Sequence, residues 1–181
     1  MQMLDASLYD FTWKHLHIKP LTYTEENFYI ALYTSPLVMQ HICQPLSEEK
    51  AAVSFVQALK LNIDPYSDRL FLTVYIGKDP NPVALCSVSH FDRSKQIAEL
   101  GCIVSPNQYR KSIAQNALYA LALQMSKYTD IKEFTLNIHP DNLAALRLAS
   151  SLGYKKCRRR TDIYFRPNDY RTISTITINT E

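Results

Sequence analysis

Glycine is almost missing from this chain, with three residues in 181, at Gly77, Gly101 and Gly153, and tryptophan occurs once. Glycine- and serine-rich linkers, internal repeats and low-complexity tracts are also missing, so a single domain over residues 1–181 is expected. No run of eighteen apolar residues exists, and the opening MQMLDASLYDF lacks the basic-then-apolar order of a secretory signal. A soluble, cytoplasmic protein is expected on that ground. The four cysteines, Cys43, Cys86, Cys102 and Cys157, are scattered without CxxC spacing or paired histidines. That argues against a zinc site or a disulfide framework; three of the four sit in apolar surroundings and read as buried free thiols.

What the chain does have is 46% apolar residues, ample for a continuous core, and a charge that is unevenly spread. Residues 1–90 hold six Lys/Arg against nine Asp/Glu, a balance of −3, and residues 91–181 hold fourteen against eight, a balance of +6. An anionic partner is therefore expected to meet the second half.

Alternation and helical spacing divide the chain into elements. Residues 16–21 read as a first strand, after which Thr24 is placed to cap a helix with Glu25 and Glu26 in its first turn. Pro36 ends that helix, a short helix is expected over 37–42, and a longer one after Ser47 with Ala51, Phe55, Ala58 and Leu59 inward. Three β-rich runs at 70–76, 82–91 and 97–104 are separated by turn-like KDPNP and DRSKQ and should form an antiparallel meander. A helix over 112–128, a strand over 133–138 and a helix over 142–152 follow, the last with Asp141 as N-cap and Gly153 just past its end. Closing strands are expected at 154–159 and 172–178. The fold class is α+β (mixed α/β), one central, mostly antiparallel sheet flanked by helices.

With glycine so scarce, Gly101 inside a strand asks for a reason. A β-bulge, or the close approach of another backbone or a ligand, would supply one. The strand leads into VSPNQYRKSIAQNAL, where Tyr109, Arg110, Lys111, Ser112 and Ile113 open an alanine-rich helix. Free N–H groups at a helix start, the helix dipole and two cations form an anion site suited to pyrophosphate. A basic, solvated loop before an ordinary helix is the alternative.

Three stretches taken together carry a resemblance over residues 16–154. HLHIKPLTYTEENFYIALYTSPLVMQHI, AELGCIVSPNQYRKSIAQNALYAL and NIHPDNLAALRLASSLGYKK resemble the opening, the phosphate loop and the closing corner of GNAT superfamily N-acetyltransferases, in the Rim-type branch that acts on ribosomal-protein N-termini. The resemblance implies an acyl-CoA N-acyltransferase fold, whose sheet splays between the strands at 97–104 and 133–138 to admit the pantetheine arm of acetyl-CoA. It implies that backbone groups of Cys102, Ile103 and Val104 pair with that arm. The N–H groups from Arg110 through Lys111, Ser112 and Ile113 to Ala114 would hold the pyrophosphate, with Tyr109 leading into that loop and Asn142 on the other side. The chain departs from the pattern in two places. Ser112 stands where glycine is usual and Tyr109 where Gln or Arg is usual; and Ala145 and Ala149 stand where related enzymes carry a Ser or Tyr general acid.

Acyl transfer to an amine needs the amine neutral, which calls for a base. Glu99, just before Gly101 on the same strand, is the candidate, with a charged strand residue facing solvent as the alternative. The backbone N–H of Ile103 or Cys102 would hold the oxygen on which charge develops. A thiol of pKa about 8.5 leaves without obligatory help from an acid, and Ser150 and Tyr109 are possible substitutes for one.

His15 and His17 alternate along one strand without a third ligand, so no metal is expected. His139 is a possible auxiliary base, or a surface histidine. The run Lys155, Lys156, Arg158, Arg159, Arg160 lacks the interleaved aromatics of single-strand binders, and nucleic acid is not the expected partner. The expected function is transfer of acetyl from acetyl-CoA to a primary amine by direct attack in a ternary complex, the acceptor a protein N-terminus. Small amines such as an amino sugar, polyamine or aminoglycoside are the alternative acceptors. A non-catalytic acyl-CoA-binding module is the alternative of another class. A monomer or homodimer is expected, without a membrane partner.

Overall fold

The computed structural model describes residues 4–157 and 163–167. Eight strands form one sheet in the order β1-β2-β3-β4-β5-β6-β8-β7. They are β1 (Phe11–Trp13), β2 (Leu16–Pro20), β3 (Leu70–Ile76), β4 (Ala84–Asp92), β5 (Ile97–Val104), β6 (Glu133–Asn137), β7 (Lys155–Lys156) and β8 (Ile163–Pro167). The helices are α1 (Glu26–Thr34), α2 (Pro36–Met39), α3 (Glu48–Ile63), α4 (Ile113–Tyr128) and α5 (Leu143–Ser151).

Period-two alternation sends the strands' two sides to separate cores. Leu16, Ile18, Leu72, Val74, Cys86, Val88, Ala98 and Leu100 face α4, which contributes Ile113, Ala117, Leu121 and Met125 to the larger core. Leu85, with Phe71 and Ile103 packed beside it, faces the smaller core built by Tyr29, Leu32, Val38, Met39, Phe55 and Ala58 from α1, α2 and α3. The expected antiparallel meander is present, in continuous register from Leu70↔Val88 to Val74↔Ala84 and from Ala84↔Val104 to Ser89↔Glu99.

Helix starts in the first half are closed by the chain itself. Thr22 and Glu25 form a capping box, Thr22 taking the place expected of Thr24 because the helix is preceded by a 3-10 turn at Tyr23–Glu25. Ser35 accepts from the Val38 N–H and Ser47 from the Lys50 N–H. The short second helix runs Pro36–Met39, so Pro36 begins it, a place where proline's missing N–H costs nothing. At α5 the cap is Asn142, which accepts from the Ala145 N–H at 3.1 Å, and Asp141 lies one residue outside.

Other expectations change. The β1 hairpin arm and β8 were not legible as strands, and the strand expected at 154–159 is reduced to β7 at Lys155–Lys156. The strand expected at 172–178, like Arg158, Arg159 and Arg160, lies outside the described residues. His15 sits in the turn between β1 and β2, and His17 bonds Asp10 at 2.7 Å, so the two do not share a strand face.

Candidate functional site

The sheet changes character along β5. Its first residues pair in parallel with β6, Ile97↔Glu133 to Glu99↔Thr135, and there the pairing stops although β5 continues to Val104 and β6 to Asn137. Among the described residues, the edge from Leu100 to Val104 that looks towards β6 has no strand on it. Unused N–H and C=O groups on such an edge are able to pair with an extended ligand as with another strand. Cys102, Ile103 and Val104 lie there, all half-buried, Cys102 and Val104 against the larger core and Ile103 against the smaller.

Gly101 does not bulge. It pairs with Ser87 in unbroken register, and a Cβ there would meet Ser87 Oγ at 2.7 Å, so close packing across the ladder is the reason for glycine. The bulge falls on the neighbouring strand, past Ser89, the partner of Glu99, and before Asp92, where His90 has φ of 50°. It turns the His90 ring back onto β5, with Nδ1 3.6 Å from Glu99 Oε2. Glu99 also lies 3.5 Å from the Ser89 hydroxyl and keeps 22% of its side chain exposed. By alternation Glu99, Gly101 and Ile103 share one face of β5, the face covered further along by α1 and α3.

The turn between β5 and α4 has a backbone of alternating hand. Arg110 and Ser112 both take left-handed conformations, φ 64° and 56°, on either side of Lys111. Alternating hands of this kind point successive N–H groups into one concavity, a nest for anions. Ser112 precedes α4 yet makes no side-chain cap, and the first helical bond is from the Asn116 N–H to the Ser112 carbonyl at 3.0 Å. Among the described residues the N–H groups of Ile113, Ala114 and Gln115 therefore have no acceptor, and they lie at the positive end of the helix dipole. No acidic residue lies in that first turn. Lys111 folds back, donating to Gln108 Oε1 at 3.0 Å, while Arg110 and the Tyr109 ring are exposed. Burial of part of that ring pushes the Tyr109 phenol above its usual range, so it keeps its proton.

On α5, Ala149 is completely buried in the larger core and Ala145 is packed against it, so neither offers a polar group to the split. Ser150 is exposed. Beyond β6, the exposed His139 ring meets His41, which follows α2, with centroids 5.7 Å apart. Sequence spacing carried no sign of His41, since only the fold brings these two segments together.

A depression of about 360 Å³ lies elsewhere, between Lys19, Glu25, Tyr75 and Lys78. Glu25 in its wall already accepts from Tyr75 at 2.6 Å, from Thr24 at 2.6 Å and from the Thr22 N–H at 2.7 Å, beside Lys19 at 3.2 Å, so it has no capacity left for a ligand.

The family model of the acetyltransferase (GNAT) domain matches residues 15–155. None of the curated proteins matches the sequence significantly. Solved structures do match in shape. RimL, a ribosomal L7/L12 alpha-N-protein acetyltransferase in complex with coenzyme A, superposes with a TM-score of 0.74 at 14% identity, over 90% of this chain and 99% of that one. The spermidine N-acetyltransferase of Vibrio cholerae in complex with CoA and spermine gives 0.73 at 16% identity, over 87% and 98%. The ribosomal-protein-S5-alanine acetyltransferase of Vibrio fischeri gives 0.66 at 15% identity, over 88% and 96%. At such identities the likeness is one of fold.

Proposed function

The chain belongs to the GNAT acetyltransferase family, and on that premise we propose that it transfers acetyl from acetyl-CoA directly to the primary amine of a protein N-terminus or a related acceptor. The observation that carries the reading is the conjunction of the unpaired β5 edge with the uncapped start of α4. The residues fit the cofactor: a hydrogen-bonding edge for an amide-bearing arm, then a nest and three free N–H groups for a pyrophosphate. Acetyl-CoA supplies an activated thioester. In this reading Cys102, Ile103 and Val104 hold the pantetheine by their backbones, Arg110 to Ala114 hold the phosphates, and Asn142 closes the far side.

Glu99 is the proposed base. Its carboxylate takes a proton from the acceptor ammonium, directly or through one water, and the Ile103 N–H holds the oxygen on which charge develops. Departure of a thiol near its pKa of about 8.5 needs little from an acid, which makes the alanines at 145 and 149 tolerable. The Tyr109 phenol and the Ser150 hydroxyl are the groups available to return a proton.

Release of free thiol from acetyl-CoA in the presence of N-terminal peptides or small amines tests this. Glu99→Gln is expected to lower kcat by about 100-fold, the usual scale for loss of a general base, with acetyl-CoA affinity unchanged. Binding of acetyl-CoA without turnover on any amine would favour the second reading, a non-catalytic acyl-CoA-binding module, for which the buried Ala149 is the specific support.

A further inference from the structure

Four free cysteines lie among the described residues, and two of them meet inside the sheet. Cys43 sits in the turn after α2 and Cys157 beyond β7, whereas Cys86 on β4 and Cys102 on β5 are Cα partners in the ladder. They stand sixteen residues apart in sequence, a spacing that marks neither a metal site nor a disulfide, and the meander brings them level.

Directly opposed residues of an antiparallel pair present their side chains on one face. Here it is the α4 face, since Cys86 lies in the larger core and Cys102 packs against it. An antiparallel pair sets its Cα atoms about 4.5–5.5 Å apart, inside the range of about 4.4–6.8 Å that a disulfide spans. On its other side Cys86 is level with Leu72, which offers its sulfur no polar partner. A hydrogen bond with the Cys102 thiol, followed by burial, pushes the Cys86 thiol well above its usual range, so Cys86 keeps its proton.

The two thiols differ in access. Cys86 is 0% exposed, whereas Cys102 is half-buried on a strand whose far edge, from Leu100 to Val104, carries no strand among the described residues. A small oxidant therefore reaches Cys102 first, through that opening. In the function proposed above the pantetheine arm lies along the same edge, so bound cofactor covers the approach.

We propose that Cys86 and Cys102 form a redox-active dithiol, open to hydroperoxides when the β5 edge is empty and shielded when acetyl-CoA lies along it. The Cys102 sulfur attacks a peroxide oxygen, the O–O bond breaks, and an alcohol or water leaves, giving a sulfenic acid at Cys102. The Cys86 sulfur then attacks the Cys102 sulfur, the S–O bond breaks, and the Cys86 proton departs with the hydroxyl as water. The dithiol has lost two hydrogens and two electrons, and the peroxide has taken up both. The shielding rests on the reading of this edge as the acetyl-CoA site; the dithiol itself rests on the ladder.

The test treats the full chain, reduced and then freed of reductant, with hydrogen peroxide, quenches by alkylation and maps the peptides by mass spectrometry. A cross-linked peptide pair holding Cys86 and Cys102 is expected, and dithiothreitol should release it. Cys86→Ala should leave Cys102 as a sulfenic acid that dimedone traps, and Cys102→Ala should leave Cys86 unmodified. Should either variant fail to fold, the wild-type map decides the cross-link. Acetyl-CoA at about ten times its Kd, measured by calorimetry on the reduced chain, should slow cross-linking about tenfold, in step with the fraction of sites left empty. Absence of the Cys86–Cys102 cross-link, or passage of Cys102 to sulfinic acid as fast in wild type as in Cys86→Ala, would overturn the proposal. So would an undiminished rate with acetyl-CoA bound. If calorimetry shows no binding of acetyl-CoA, the cofactor reading itself fails, and the cross-link still decides the dithiol.

Discussion

Among the described residues, two helices run for sixteen residues, α3 and α4, and their starts are opposites. At α3, Ser47 caps the Lys50 N–H, and Glu48 and Glu49 supply negative charge to the dipole from within. At α4, Ser112 is left-handed and caps nothing, no acid follows it, and Arg110 and Lys111 precede it. The first helix start is complete as it folds; in the function proposed above, the second is completed by an anion from outside. The contrast extends to the two halves of the chain. The first spends its carboxylates on itself, as in the Thr22 and Glu25 capping box, and has a balance of −3; the second has a balance of +6 and contains the open nest.

Making one helix start resemble the other should have the largest effect on cofactor binding. Ala114→Glu places in α4 the acid that Glu49 provides at the same helical position of α3. It is expected to lower acetyl-CoA affinity about 100-fold, about 2.8 kcal/mol, by calorimetry. The unliganded protein should lose no stability, since an acid in the first turn contributes about 0.3–1 kcal/mol in its favour.

Removing an acid from the first half should do the reverse. Burial opposes the charge on Glu25, but hydrogen bonds from Thr24, Tyr75 and Thr22 outweigh it and pull the carboxyl down to about 2. Because the folded value lies below the unfolded one, the stability it contributes is fully present above pH 4.5 and is lost as pH falls towards 2. Glu25→Gln is expected to cost about 3 kcal/mol at pH 7 in denaturant titration, with acetyl-CoA affinity per folded molecule unchanged. The gap between wild type and variant should narrow between those two pH values.

Smaller effects sharpen the same contrast. Ser47→Ala should cost about 1 kcal/mol of stability and nothing in cofactor affinity. Ser112→Gly relieves a left-handed serine at about 1–2 kcal/mol but gives back about 0.5–1 kcal/mol in chain entropy. A net gain of about 0.5 kcal/mol in thermal unfolding is therefore expected, with the acetyl-CoA site intact.

What was legible in the sequence follows from how local each signal is. The meander, α3, α4 and α5 could be read because periodic burial and Ser47 mark them within a few residues. Arg110 to Ala114 stood out as a candidate anion site for the same reason, since cations and a helix start adjoin in sequence. Gly101 was correctly singled out, but its reason lies across the ladder at Ser87, which no single-strand pattern contains. The strands β1 and β8 are short and gain their identity from partners, β1 from β2 and β8 from β6 and β7. The meeting of the His41 and His139 rings, from segments about a hundred residues apart, is a tertiary event with no trace in spacing.

In the function proposed above, α4 begins unfinished because a pyrophosphate completes it. Calorimetric titration of wild type and Ala114→Glu with acetyl-CoA and with acetyl-pantetheine, which lacks the pyrophosphate and nucleotide, tests this most directly. The account predicts that wild type binds acetyl-CoA at least about 100-fold more tightly than acetyl-pantetheine. It also predicts that the Ala114→Glu penalty, large for acetyl-CoA, vanishes for the shorter ligand. Equal affinity of wild type for the two ligands, or the same penalty on both, would contradict it.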